Sequence, residues 1–221
     1  MTVSLNNVLI VFVKYPEPGF VKTRLAEKIG KDKAASLYRL FVKAILARTE
    51  DIGFRRIIFC HPHEKSQGFK DWLGDNEVYF QKGDTLGERL SNAFEFIFEK
   101  GAKRVIAIGS DSPTIDGKLI IKAFNKLESK ECVIGPAQDG GYYLIGLSHF
   151  HREIFKDINW STKDVFSQTK DKVNKLGLEF SILDKEIDID SFDDLLVLKD
   201  RLKDAYKTNP IGLTPLLNFL D

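Results

Sequence analysis

Cysteine is scarce: Cys60 and Cys132 are the only two among 221 residues. They form neither a C-x-x-C pair nor a zinc spacing, and both fall inside apolar runs, so they read as small buried hydrophobes. Long apolar runs are also missing, and none approaches the ~20 residues that a membrane span requires. Net charge is nearly absent at +1, which removes the usual argument for nucleic acid or an anionic membrane as partner. Affinity for phosphate must therefore be local. The opening M-T-V-S-L-N-N carries no basic region and no cleavage-type signal, so the cytoplasm is the expected location. His61-Pro62-His63 and His149-Phe150-His151 are H-x-H pairs, but neither has the further Cys or His nearby that a zinc site needs. Repeats, low-complexity stretches and linkers are absent, so one domain over residues 1–221 is expected. Residues 204–221 form its tail, packed back on the domain or against a second subunit; a homodimer is one expectation.

What is present is ordinary for a globular chain, with 43% hydrophobic and 29% charged residues. Its order is more informative. Short β-branched runs at Val8–Val13, Arg56–Cys60, Glu77–Gln81, Val105–Ile108, Glu131–Pro136, Tyr142–Leu147 and Leu178–Leu183 read as strands. Between most of them lie segments of helical spacing: residues 32–50, 64–73, 90–98, 119–127, 165–173 and 195–202. The helix at 119–127 is expected to bury Ile120, Ile121, Phe124 and Leu127. This alternation predicts an α/β fold with a mostly parallel sheet covered by helices on both faces.

Polar clusters recur at the carboxyl ends of these strands, the edge where ligands bind in open α/β sheets. The first follows strand one: Lys14, then a Pro- and Gly-containing loop through Gly19, then Lys22 and Arg24 as a helix begins. Cations at a helix start after strand one suit an anionic ligand, although a solvated basic turn has the same composition. A P-loop is excluded, since Val21 stands where the motif needs Gly before the Lys. The second cluster, Gly83–Leu90, carries Gly87 and Arg89 and reads as a backbone approach to ligand or as a turn and cap. The third is Gly109-Ser110-Asp111-Ser112-Pro113. Thr114 and Asp116 are better placed to cap the following helix, which leaves Asp111 for a metal. Asp139-Gly140-Gly141 is a hairpin signature whose glycines also leave room for a substrate. Trp160 stacks on a base or sugar, or simply packs; Ser161 is the expected cap of the next helix. In the last cluster Asp188 and Asp190 share one side of an extended segment, and Asp190 or Ser191 caps the final long helix. Two carboxylates facing cations suit Mg²⁺ or Mn²⁺ carrying a nucleotide diphosphate.

The motifs K-Y-P-E-P-G-F-V-K-T-R-L (14–25), L-G-E-R-L (86–90), G-S-D-S-P (109–113), G-P-A-Q-D-G-G-Y-Y-L-I-G-L (135–147), W-S-T (160–162) and D-I-D-S-F-D-D-L (188–195) resemble the bacterial GT-A-type glycosyltransferase-like proteins of the nucleotide-diphospho-sugar transferase superfamily, some associated with arsenosugar biosynthesis. The chain is more distantly similar to 2-phospholactate guanylyltransferases and molybdenum-cofactor nucleotidyltransferases. The resemblance implies a Rossmann-like GT-A fold and a divalent cation at Asp111 and Asp190. It further implies phosphate contacts around Lys22 and Arg24; Lys14, Gly19, Gly87 and Arg89 are further candidate nucleotide or phosphate contacts, Gly140, Gly141 and Trp160 are candidate acceptor contacts, and Asp139 is expected to contact the acceptor or act as general base. The sequence departs from the superfamily in lacking the Gly-x-Gly-Thr-Arg loop and in having one acid where glycosyltransferases have Asp-x-Asp. Three functions follow: a metal-dependent glycosyltransferase with a nucleotide-sugar donor and small acceptor, a nucleotidyltransferase releasing pyrophosphate, or a non-catalytic nucleotide-binding protein.

Overall fold

A computed structural model describes residues 6–50 and 52–220. The reading of Met1–Leu5 as free of a targeting signal lies outside the described residues, as do Asp51 and Asp221. Asn7–Lys14 forms β1, whose six central residues are all buried, as a central strand flanked on both faces must be. Two helices follow, α1 (Thr23–Ile29) and α2 (Lys31–Arg48). After β2 (Arg55–His61) come α3 (Ser66–Leu73), β3 (Val78–Phe80), α4 (Leu86–Glu99), β4 (Arg104–Ile108) and α5 (Gly117–Lys126). The second half contains β5 (Cys132–Pro136), β6 (Tyr142–Leu147), α6 (Val165–Lys175), β7 (Phe180–Ile182), α7 (Phe192–Thr208) and α8 (Thr214–Leu220).

The seven strands form one sheet in the order β3-β2-β1-β4-β6-β5-β7. Only β6 opposes its neighbours: it runs antiparallel to β4 and β5, whereas the other pairs are parallel. The expected mostly parallel sheet with helices on both faces is therefore present. One face packs Leu9, Val11 and Ile106 under Val42, Phe69 and Phe124, from α2, α3 and α5. The other packs Val8, Ile10 and Ile145 under Phe94, Phe155 and Val173, from α4, the 152–155 turn and α6. Cys60 and Cys132 are fully buried within these layers, and burial pushes both thiols up to about 12.

The helix α2 has two buried faces. Ala35, Tyr38, Val42 and Ile45 meet the sheet, while Leu37, Phe41 and Ala44 meet a third cluster with Leu195, Leu198, Leu202, Leu213 and Leu216. The tail thus packs back on its own domain. Arg48 fastens it: this 5% exposed side chain donates to the carbonyls of Ile115 (3.2 Å), Thr114 (3.3 Å) and Asn209 (2.6 Å) and pairs with Asp116 at 3.5 Å.

Three local expectations change. Ile121 is 39% exposed, and Ala123 takes its place in the buried stripe of α5, because Ile120, Ala123, Phe124 and Leu127 follow the i, i+3, i+4, i+7 spacing of one face and Ile121 lies about 100° from it. Ser161 does not cap α6; its φ of 64° places it in a left-handed turn, and the helix begins four residues later at Val165. Of Thr114 and Asp116, it is Asp116 that caps α5, accepting from the Leu119 amide at 3.1 Å, while the Thr114 carbonyl accepts from Arg48. At α7, Ser191 is the cap, in a reciprocal box with Asp194, and that leaves the Asp190 side chain for other work.

Candidate functional site

The carboxyl ends of β1, β3, β4 and β5 open onto one cavity of about 860 Å³. Of the residues singled out by sequence, Lys14, Lys22, Arg24, Arg89, Asp111, Asp139, Gly141, Trp160 and Asp190 line it. They arrive from segments as far apart as residues 14 and 190, so the convergence is a product of topology.

At its floor lies an ion triad. The Lys22 ammonium contacts Asp111 and stands 3.0 Å from Asp190 Oδ1. Lys22 precedes α1 with a left-handed φ of 49° and makes no capping bond, so its side chain runs inward instead of along the helix. That side chain is 3% exposed, while those of Asp111 and Asp190 are 44% and 41% exposed. Burial opposes its charge, but the two carboxylates outweigh this and hold the ammonium above the ordinary lysine range. Burial likewise opposes ionisation of Asp190, and Lys22, Arg24 and Lys14 together keep its carboxyl below the usual range. Sequence had assigned Lys22 to phosphate. The structure places its charge on the two carboxylates, because the left-handed turn buries it beneath them.

Two hydrogen-bonded seams hold the acidic segment against the β4 exit. The Ile189 amide donates to the Asp111 carbonyl at 3.0 Å, and the buried Ser112 hydroxyl lies 3.0 Å from the Ile187 carbonyl and in contact with Asp188. Asp188 is held against ionisation: burial, then the charge of Asp111, raises its carboxyl to about 7 despite the Ser112 bond. Beneath the β1 exit the buried Tyr38 hydroxyl accepts from the Lys14 amide at 2.9 Å and lies 2.7 Å from Ser110 Oγ. Either hydroxyl can donate in that pair, since each carries one proton and two lone pairs. Burial, with Asp111 nearby, pushes this phenol well above its ordinary value.

The walls carry the remaining groups. Arg24 and Lys14 are exposed at the rim, with Phe20 (74% exposed) and Leu86 beside them. Arg89 is steered by the 83–84 loop, donating to Gly83 O at 2.9 Å and Asp84 O at 3.3 Å. Asp139 is exposed, and its Oδ1 accepts from the Gly141 amide at 2.8 Å within the β5–β6 hairpin.

Three of the candidate glycines have structural duties. Gly87 is buried in α4 against Trp160, whose indole occupies the space a Cβ would fill. Gly140, at φ 93°, lies against the Lys163 carbonyl, which a Cβ would overlap. Gly19 supplies a φ of 85° in the β1–α1 loop and faces the stem of Lys31. Trp160 is wedged between Gly87 and the Tyr142 ring, 6.2 Å away edge-on, while still lining the cavity.

Sequence reasoning missed Tyr38, Ser110 and Ser112. Tyr38 was within reach, since positions 34, 35, 38, 41, 42 and 45 share helical spacing and its hydroxyl is the one polar atom in that stripe. The two serines carried no signal beyond flanking Asp111. Among the described residues no group of three or more His, Cys, Asp or Glu side chains is arranged to hold a metal ion. The H-x-H pairs form no such site. No helix among them is long and apolar enough to cross a membrane.

A mostly parallel seven-stranded sheet with its polar site at the strands' carboxyl edge defines the fold shared by nucleotide-diphospho-sugar transferase-like proteins. The chain belongs to the family DUF2064, described as an uncharacterized protein conserved in bacteria, whose pattern matches residues 45–162. A protein from Desulfovibrio desulfuricans G20, provisionally named a nucleotide-diphospho-sugar transferase, is 38% identical with a TM-score of 0.91, over 96% of this chain and 94% of that one. The 4-diphosphocytidyl-2C-methyl-D-erythritol synthase of Anaerococcus prevotii DSM 20548 shares the fold at 10% identity and TM-score 0.59, over 90% of this chain and 100% of that one. So does a CMP:2-keto-3-deoxy-manno-octonic acid synthetase complexed with CTP, at 10% identity and TM-score 0.54, over 90% and 99%. None of the curated proteins matches the chain in sequence.

Proposed function

We propose that this chain is a metal-dependent transferase that binds a nucleotide-diphospho-sugar and passes the sugar to a small-molecule acceptor. The observation that carries the reading is the pairing, in one cavity, of Asp111 and Asp190 with the rim cations Lys14, Arg24 and Arg89. A cavity of about 860 Å³ lies within the ~300–1,000 Å³ typical of small-molecule sites. The relative from Desulfovibrio, by its name, supports the same class.

The donor set fits Mg²⁺ or Mn²⁺: two carboxylates, each about two-fifths exposed, face a cavity with room for water and phosphate oxygens. Asp111 and Asp190 would hold the ion, which when bound supplies charge neutralisation for the departing diphosphate. Lys14, Arg24 and Arg89 orient the phosphates and stabilise negative charge as it develops on them. Asp139 takes the acceptor's proton, and the 160–163 loop with Trp160 forms the acceptor wall. Lys22 acts from beneath, through the carboxylates.

A second reading keeps the site and transfers a nucleotidyl group from an NTP to a phosphorylated acceptor. The fold shared with a synthetase that binds CTP supports it. Incubation with Mn²⁺, a panel of nucleotide-sugars and NTPs, and mixed small acceptors separates the two. Release of nucleoside diphosphate is expected; release of pyrophosphate from NTPs alone would transfer the proposal to the second reading. Saturable nucleotide binding with neither product would leave a binding protein.

A further inference from the structure

Lys22 approaches the two carboxylates from the core side. Its ammonium lies 5.7 Å from the centroid of the buried Phe41 ring and contacts one oxygen of Asp111 and one of Asp190. All three residues line the cavity, but the carboxylate side chains are 44% and 41% exposed whereas that of Lys22 is 3% exposed. The backbone of Lys22 is itself anchored, since its carbonyl accepts from the Ala26 amide at 2.8 Å in the first turn of α1. For this ammonium to reach a phosphate in the cavity it would have to abandon both partners while 3% exposed.

We infer that Lys22 is a positioning residue, a built-in cation that clamps Asp111 and Asp190 from below and weakens their hold on a bare divalent cation, so that the ion is retained only together with a diphosphate. This deepens the metal-dependent reading above and rests on it. Two carboxylates and one ammonium leave a single net negative charge at the floor. Asp188 also lines the cavity, with its carboxyl turned to Ser112. A divalent cation arriving alone meets a fixed positive charge behind its ligands, whereas one arriving with a diphosphate brings its own anionic oxygens and needs only one or two protein carboxylates. The clamp also holds the carboxylates together without metal, so no rearrangement of the floor precedes loading.

The test is Mn²⁺ retention by the full chain, read by water-proton relaxation, which reports protein-bound Mn²⁺ directly. Wild type, Lys22→Met and Lys22→Arg are each titrated with Mn²⁺ alone and with Mn²⁺ plus inorganic pyrophosphate, a probe independent of the nucleobase. Wild type and Lys22→Arg are expected to retain Mn²⁺ well only with pyrophosphate. Lys22→Met should bind Mn²⁺ alone about tenfold or more tightly than wild type, as expected for removing a unit charge about 4 Å from a divalent ion in a water-like dielectric. Wild type holding Mn²⁺ alone as tightly as with pyrophosphate overturns the inference while sparing metal dependence, as does a Lys22→Met protein that gains nothing. If circular dichroism shows Lys22→Met unfolded, the pyrophosphate dependence of wild type and Lys22→Arg decides. Absence of bound Mn²⁺ in every sample overturns the metal-dependent reading and the clamp with it.

Discussion

Replacing Gly140 by alanine tests whether the Asp139-Gly140-Gly141 turn is a ligand contact or a hinge of the cavity wall. Gly140 has φ 93°, and a Cβ there overlaps the backbone carbonyl of Lys163, which cannot rotate away as a side chain end would. The left-handed conformation alone costs an L-residue roughly 1–2 kcal/mol. Moving the 163 carbonyl also strains the bond from the Phe166 amide to Gly140 O, now 2.9 Å, worth about 0.5–1.5 kcal/mol. Together Gly140→Ala should lose about 1.5–3.5 kcal/mol, which for a chain of this size lowers the thermal midpoint by roughly 3–14 °C. Gly177 supplies the control: its φ is 71°, but nothing lies within 4 Å of its Cβ position. Gly177→Ala should therefore show the conformational cost alone, about 2–8 °C. Differential scanning fluorimetry of both variants without ligand is sufficient. A Gly140→Ala midpoint within 1 °C of wild type, or no lower than that of Gly177→Ala, would refute the close-approach argument and restore Gly140 to the ligand contacts.

Two further outcomes follow from the same geometry. Asp188→Asn should stabilise the metal-free protein at high pH. The wild-type carboxyl ionises near 3.8 in the unfolded chain but near 7 in the fold, so folded stability falls as pH rises through that window and the full penalty holds above it. Thermal midpoints with divalent cations chelated should thus coincide near pH 4 and favour Asp188→Asn by several degrees at pH 8; an equal gain at both would sink the assignment. Arg48→Met removes the donor to four carbonyls and the ion partner of Asp116 and should cost about 3 kcal/mol. Urea unfolding followed by circular dichroism checks this, and an unchanged midpoint would mean that α8 is not locked to α2 by Arg48.

The layers were legible because burial imposes periodicity. Val8–Val13 could be little other than a central strand, and the spacing of Leu37, Phe41, Ala44 and Ile45 required a helix. Strand exits were legible too, since Asp111, Asp139 and Asp190 follow apolar runs that had to end at the same edge of a parallel sheet. Side-chain direction was not. Lys22 reads either as a contact for an anionic ligand or as part of a solvated basic turn, and only a left-handed φ of 49° turns it under Asp111 and Asp190. Gly87 and Gly140 read equally as room for a ligand or as turn residues, and the Trp160 ring and the Lys163 carbonyl, 73 and 23 positions further along the chain, are what a Cβ there would meet. Tyr38 was hidden in an apolar stripe whose pattern records burial and not where a hydroxyl points.

The amino-acid order was therefore enough to establish an α/β sheet, its core and the edge at which chemistry gathers, because hydrophobic period and strand-end turns are local properties of a chain. The pairing of each carboxylate with its cation, and the choice between a glycine that admits ligand and one that admits a neighbour, depended on contacts between residues far apart in sequence. Those contacts exist only once the chain has closed, when the backbone angle of one residue can redirect a charge from solvent to the floor of the cavity.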